Sequence, residues 1–251
     1  NSGSNNIGGT STGASNVIAG NGQSGIQIVS ADNNIIQGNN IGINAANDAL
    51  GNGDSGVLIT VTSANNTIGG SADGAANVIA HNTKDGITHE GTLAGNVFSR
   101  NTLYNNTELG IDLGGDNLSP NDANDADTGA NGLLNFPQFS LITITNSNLV
   151  LSGCAPAGAT VELFEADVST TSSSGASAGD NQFSTTQDYG EGEVFLTDWT
   201  MPATGTACSL NSDGDGNDPT GMLAFNQTIA LADLAAGSSV VMADKLTTTA
   251  T

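Results

Sequence analysis

The chain has 251 residues, with 25 acidic side chains against 3 basic ones and a formal net charge of -22. Only Lys84, Arg100 and Lys245 could meet a phosphate, so a nucleic-acid partner is excluded on electrostatic grounds and an anionic membrane surface is disfavoured. Charged residues make up only 11%, aromatics 4%, and Gly is abundant at 34 residues while Ile, Val and Leu recur at regular places, which argues against a disordered chain. No segment is apolar enough to span a bilayer. Asn1 is not a start residue, which leaves room for a leader removed earlier.

Residues 1–115 are predicted to be a coil repeat. Residues 5–9 read Asn-Asn-Ile-Gly-Gly, and residues 66–70 read Asn-Thr-Ile-Gly-Gly, an offset of 61. The same offset relates Asn16-Val17-Ile18-Ala19 to Asn77-Val78-Ile79-Ala80, Asn21 to Asn82, and Gly25-Ile26 to Gly86-Ile87. Shorter echoes lie inside, in Asn34–Asn39, Asn96–Asn101 and the Gly-[Ile/Val]-x-[Ile/Leu] runs at Gly25, Gly56 and Gly110. Apolar residues alternate with polar ones over three or four positions, the strand period, and Gly and Asn punctuate every few residues. Coils of about 20 residues with two or three short strands fit a parallel β-helix. Some five coils stacked at about 4.8 Å would give a stub of only ~24 Å. Inward Ile, Val and Leu would form rows, and the recurring Asn residues are expected to build side-chain ladders that satisfy the corners.

These runs (Asn-x-Ile-Gly-Gly, Asn-Val-Ile-x-x-Asn, Gly-Ile-x-Ile) resemble the secreted bacterial right-handed β-helix repeat proteins, large surface proteins that often carry a CSLREA-type N-terminal domain. The likeness continues through Ile41-Gly42 and Leu50-Gly51-Asn52-Gly53 and is tightest at Leu109–Asp116, Pro120-Asn121-Asp122 and Asp125–Gly129, ending at Asn135-Phe136-Pro137. It covers about residues 5–166. The resemblance implies an extracellular fold in which this last block closes the helix and leads into an immunoglobulin-like module, and it implies little about activity. The Ser/Thr/Gly-rich stretch beyond Val168 and the position of Cys154 depart from the family pattern.

The chain is therefore divided into a right-handed parallel β-helix (1–115), an acidic connector that closes it (116–137) and an immunoglobulin-like β-sandwich (138–251), an all-β protein throughout. In the sandwich the expected strands are Phe139–Thr145, Asn148–Ser152, Ala159–Glu165, Glu193–Asp198, Thr206–Leu210, Met222–Ala230, Ser238–Met242 and Leu246–Ala250. Pro156-Ala157-Gly158 sits where a hairpin turn is needed, Phe164 and Trp199 read as core residues, and residues 167–192 read as a long loop. Cys154 and Cys208 leave two readings, buried thiols or one bridge formed in an oxidising compartment. The bridge is preferred, and closing a loop of roughly 55 residues would stabilise the fold by about 4 kcal/mol.

Two acidic clusters are candidate calcium sites. The first is Asp116, Asn121, Asp122, Asn124, Asp125 and Asp127. The second, Asn211, Asp213, Asp215, Asn217 and Asp218, has the alternating oxygens of an EF-hand opening with Gly216 sixth, but Met222 stands where the bidentate Glu belongs. No catalytic residue is assigned. A lyase needs a base beside a carboxylate-bound metal and a hydrolase needs two facing carboxyl groups. The best catalytic alternative is the sequence cluster Lys84, Asp85, His89 and Glu90. Tyr104 and Tyr189 are the candidates for a carbohydrate-stacking platform, and Asn65, Asn105, Asn117 and Asn226 head glycosylation sequons. The expectation is an extracellular structural or adhesive surface protein whose open first coil and last strand suit self-association, as a subunit stacked head to tail or as a fragment of a longer chain. The alternative is a protein that binds or cleaves polysaccharide.

Overall fold

A computed structural model describes residues 3–166, 191–210, 219–236, 238, 240–241 and 246–250. The chain divides into two compact units. The first comprises Asn1–Ser119, Thr128–Gly132 and Ala166–Glu193; the second comprises Pro120–Asp127, Leu133–Glu165 and Val194–Thr251.

The first unit is a parallel β-helix of four coils. The first coil carries β1 (Asn6–Gly8), β2 (Val17–Ile18) and β3 (Ile26–Val29). The second carries β4 (Ile35–Gln37), β5 (Asn40–Ile41) and β6 (Val57–Thr60). The third carries β7 (Thr67–Gly69), β8 (Val78–Ala80) and β9 (Ile87–His89), and the fourth β10 (Val97–Ser99), β11 (Thr102–Tyr104) and β12 (Ile111–Leu113). Each set of three stacks into its own four-stranded parallel sheet: β1-β4-β7-β10, β2-β5-β8-β11 and β3-β6-β9-β12.

Coil length differs from the expected 20 residues. Register partners Asn6, Ile35, Thr67 and Val97 stand 29, 32 and 30 residues apart, so four longer coils replace five short ones. The 61-residue offset is two coils. In coils one and three, long loops (9–16 and 70–77) join the first strand to the second; in coils two and four the same corner takes only residues 38–39 and 100–101. A third strand per coil and these loop excursions account for the added length.

The interior is filled by four rows, set by the sheet register. They are Ile7-Ile36-Ile68-Phe98, Ile18-Ile41-Ile79-Leu103, Ile26-Val57-Ile87-Ile111 and Ile28-Ile59-His89-Leu113. Ile36, Ile41, Ile59, Ile68, Ile79 and Ile87 are fully buried, and each such side chain stabilises by roughly 1.5–3 kcal/mol.

The corners are held by three Asn ladders. In the first, Asn5, Asn34 and Asn66 each donate both the main-chain N–H and Nδ2 to Oδ1 of the next rung, the last of these acceptors being Asn96. The second runs Asn16-Asn39-Asn77-Asn101, and the third Asn21-Asn52-Asn82-Asn106, with the same paired bonds. One buried amide thus satisfies two donors from its neighbour and offers two of its own. In the first ladder each Asn follows a residue in the left-handed region: Ser4, Asn33, Asn65 and Gly95. Gly8 and Gly69 also hold positive φ, at 79 and 86°, and a Cβ on either would run into the carbonyl oxygens of Gln37 and Ser99 one coil on. The repeated Ile-Gly-Gly is explained by this close approach.

The second unit holds two three-stranded antiparallel sheets, formed by β13 (Gln138–Thr145), β14 (Asn148–Ala155), β15 (Thr160–Ala166), β16 (Gly192–Thr200), β17 (Leu223–Ala230) and β18 (Leu246–Ala250). The orders are β13-β14-β17 and β16-β15-β18. Strands one, two and five share one sheet and four, three and six the other, which is the order of the inner strands of an immunoglobulin-like sandwich. Leu149 and Leu151 of one sheet share a core with Val161, Leu163 and Leu196 of the other. Phe164 is buried against Phe195, and Trp199 is half-buried and packs on Phe225.

Two expected strands and one expected hairpin turn differ. Ala207 makes only an isolated bridge to Leu223, so 206–210 is not a strand, and the described residues of 238–242 form none. Pro156–Gly158 is a turn closed from Ala159 N to Pro156 O, yet β14 and β15 lie in different sheets, so it is a corner between sheets and not a hairpin. The β13–β14 hairpin instead turns at Asn146-Ser147, both at positive φ as a type I′ turn requires. Cys154 of β14 is bonded to Cys208, with Cα atoms 5.6 Å apart.

Asn77→Ala removes the acceptor of two Asn39 donors and leaves the buried Ile36 carbonyl without its Nδ2 donor. The expected cost is roughly 3 kcal/mol or more in urea unfolding. Asn47→Gly, at an exposed left-handed turn, should stay within about 0.5 kcal/mol of the parent. Equal losses would remove the ladders from their stabilising role.

Candidate functional site

Of the first acidic cluster, the structure brings together Asp122, Asp125 and Asp127, one carboxylate oxygen of each lying within 4.8 Å of the others. Their loop is fixed by two buried Asn residues. Asn121 donates Nδ2 to the Phe136 carbonyl and accepts the Phe136 N–H on Oδ1. Asn135 does the same with Asp122, and its own N–H donates to Asp125 Oδ1 at 2.7 Å. Asn124 and Asp125 hold φ of 64 and 51°, which reverses the chain inside the loop, and both oxygens of Asp122 accept the Ala126 N–H.

Burial, then the neighbouring Asp122 and Asp125 carboxylates, push the Asp127 carboxyl above its usual value. Its Oδ1 is shielded from solvent without a hydrogen-bond partner. An all-oxygen set of three converging carboxylates fits a hard cation such as calcium, which takes six to eight oxygens, better than a soft metal that prefers sulfur or imidazole. Asp116 belongs to the first unit and is not one of the three. The Asn121 amide bridges the chain to Phe136. Asn211, Asp213, Asp215 and Asn217 lie outside the described residues.

The cluster Lys84, Asp85, His89 and Glu90 does not form one site. Lys84 points to solvent and meets Asp54 Oδ1 at 2.8 Å. His89 is completely buried in the interior row, edge-on to Phe98, and burial lowers its pKa. Gly91 N–H donates to its Nδ1, and its Nε2 lies within hydrogen-bond reach of the Leu93 carbonyl and of Asn96 Nδ2. Tyr104 stacks edge-on against His81 at 5.5 Å, and Tyr189 lies outside the described residues.

What sequence reasoning missed is the burial of two carboxylates associated with the third sheet, Asp85, named above only as part of the cluster with Lys84, and Asp112. Asp85 accepts the Leu109 N–H and the Thr88 hydroxyl, which also meets Ser55. Asp112 accepts the N–H groups of Gly115 and Asn117. Burial is the largest effect on both: it raises Asp85, and it pushes Asp112 up to about 6 although its two N–H donors pull the other way. Among the described residues, main-chain N–H groups and a hydroxyl answer these carboxylates. The strand pattern gave no such signal: Asp112 stands between inward Ile111 and Leu113, where alternation predicts an outward, solvated side chain.

The chain matches no known protein-family model, and no curated protein matches it.

The pH dependence follows from Asp112. Its folded pKa of about 6 lies above the unfolded 3.8, so the folded state holds the proton more tightly between those values. Asp112 therefore contributes stability that is fully present below this window and is lost as pH rises through it, roughly 2–3 kcal/mol for a shift of this size. Asp85 acts in the same direction. Urea midpoints measured from pH 4 to 6.5 should fall in the parent chain and fall less in Asp112→Asn; parallel profiles would contradict the assignment.

Proposed function

We propose that this chain is an extracellular structural or adhesive protein, a short β-helix followed by a β-sandwich, that associates with other copies through strand edges. The observation that carries this reading is the use made of the polar groups in the coils. Asn ladders lock the corners, aliphatic rows fill the interior, and the carboxylates of the third sheet are spent on main-chain donors. Extracellular placement is supported by the Cys154–Cys208 bridge, which persists in an oxidising compartment. Among the described residues no helix is long and apolar enough to cross a membrane.

Calcium has a place in this proposal. Asp122, Asp125 and Asp127 would hold the ion in the loop anchored by Asn121 and Asn135, and it would supply the positive charge that three adjacent carboxylates lack. The role would be stiffening, as a cross-link within one loop.

Incubation with acidic and neutral polysaccharides, with and without calcium, tests the structural reading. No new reducing ends and no unsaturated uronate absorbance are expected; turnover of either kind would overturn it. For the ion, calcium should raise the melting temperature of the parent chain and leave Asp122→Asn/Asp125→Asn/Asp127→Asn unmoved. An equal rise in both would place binding elsewhere.

A further inference from the structure

The Asn ladders have a direction. In the third, Asn21, Asn52 and Asn82 each donate N–H and Nδ2 forward to Oδ1 of the rung in the next coil. The other Nδ2 hydrogen of Asn52 turns back to the Ile18 carbonyl, and that of Asn106 to the Ile79 carbonyl. Each carboxamide therefore points its oxygen toward the coil before and its forward hydrogen toward the coil after. The side-chain dipoles and the corner N–H groups add, and donors gather at the far end of the ladder as they do at a helix N-terminus.

Asn106 is the Asn at that end, and it is 1% exposed. Its Oδ1 is taken by Asn82, which leaves the N–H and the forward Nδ2 hydrogen as two buried donors on one side. Glu191 meets both. The N–H donates to Oε2 at 3.0 Å and Nδ2 to Oε1 at 2.7 Å, so each oxygen of one carboxylate takes one donor. The Glu191 side chain is itself shielded, at 7% exposure.

The surroundings of Gly110 point the same way. Gly25, Gly56 and Gly86 each face the main-chain carbonyl of the corresponding glycine one coil on, at Gly56, Gly86 and Gly110. Gly110 faces Cα and Cγ of Glu191 instead. Residue 191 thus takes the place of the next coil at this corner, although it stands 85 positions from Asn106 in the chain.

The first ladder ends differently. The Asn96 N–H donates to Oδ1 of Asn131, which returns its own Nδ2 to the Asn96 carbonyl, while Asn96 Nδ2 turns to the Ser63 carbonyl. One donor is answered there, and a carboxamide suffices. Two donors converge from Asn106, and a carboxylate, which holds acceptors only and binds such donors most strongly, is the chemical match.

We infer that the donor end of the third ladder, the N–H and Nδ2 of Asn106 beside Gly110, is a carboxylate-binding site, and that Glu191 is the ligand it holds within the chain. The negative charge lies at the positive end of aligned dipoles and is bound through two fixed donors. The recognition involves the carboxylate and nothing else of the ligand, so a small free carboxylate should occupy the site once Glu191 is truncated.

The test is chemical rescue in the full chain. Glu191→Ala should speed hydrogen exchange at the Asn106 N–H by at least about tenfold, since two hydrogen bonds to a charged group are lost. Asn34 and Asn66, in the first ladder, should keep their rates. Acetate on the order of 100 mM, compared with chloride at equal ionic strength, should restore protection at Asn106 and raise the melting temperature of Glu191→Ala by mass action. Acetamide, matched in size but carrying a donor in place of one oxygen, should do neither, and acetate should leave the parent chain unmoved. A folded Glu191→Ala with parent-like exchange at Asn106 overturns the proposal. So does a variant that acetate fails to protect, or that acetate and acetamide protect alike. Should Glu191→Ala not fold, Glu191→Gln takes its place: it keeps the length and one acceptor, and sets a donor against Asn106 whichever way its amide lies. Exchange at Asn106 should again rise with the first ladder unchanged, and parent-like exchange there would overturn the assignment.

Discussion

A chain that turns a corner three times per coil leaves main-chain N–H groups pointing along the helix axis, where water has no access. The whole first unit depends on answering those groups. Asn answers them with one side chain that accepts two bonds and donates others, so each rung is useful only because the next is present. Asn52, Asn66, Asn77 and Asn82 are completely buried, polar groups taken out of water and kept there by full satisfaction. The aliphatic rows supply most of the driving force, but the ladders set the register and hence which side chains face inward.

The same device reappears in the second unit with a different purpose. Asn121 and Asn135 clamp two strands of irregular chain and so assemble the carboxylates of Asp122, Asp125 and Asp127. A protein with only 3 basic residues cannot neutralise its acids by ion pairing, and the pair Lys84–Asp54 is at the surface. Asp85, Asp112 and Glu191 are instead buried against N–H and hydroxyl donors. Acidity here is carried inside by hydrogen bonds from uncharged groups, which is why burial raises Asp85 and Asp112 in spite of them.

Much of the coil architecture could be read from residues that lie near one another in the chain. The Asn-x-Ile-Gly-Gly runs reveal the repeat because Gly8 and Gly69 meet the same obstruction one coil on. The coil length escaped because coils two and four lack the long first loop of coils one and three, so the half-period is faint while the full period is plain. The doublets Asn33-Asn34 and Asn65-Asn66 held a finer signal, the first residue turning the corner and the second forming the rung. Asn131 and Glu191 could not be found this way. They act on residues 35 and 85 positions away, and nothing in their own neighbourhoods marks them. In the second unit, alternation exposed all six strands to within a few residues, but the sheet to which β15 belongs depends on packing and not on the Pro156–Gly158 turn.

The alternation of long and short first corners also constrains how such a rod can change length over evolutionary time. Inserting or deleting one coil would place two long loops, or two short ones, at adjacent heights and break the pattern on that side. Duplication of a coil pair keeps the alternation of long and short first corners. Rods of this kind should therefore grow and shrink in steps of two coils, a rise of roughly 9.6 Å at each step. A gene lineage would record that rule as tandem segments of two coils each, with single-coil intermediates selected against.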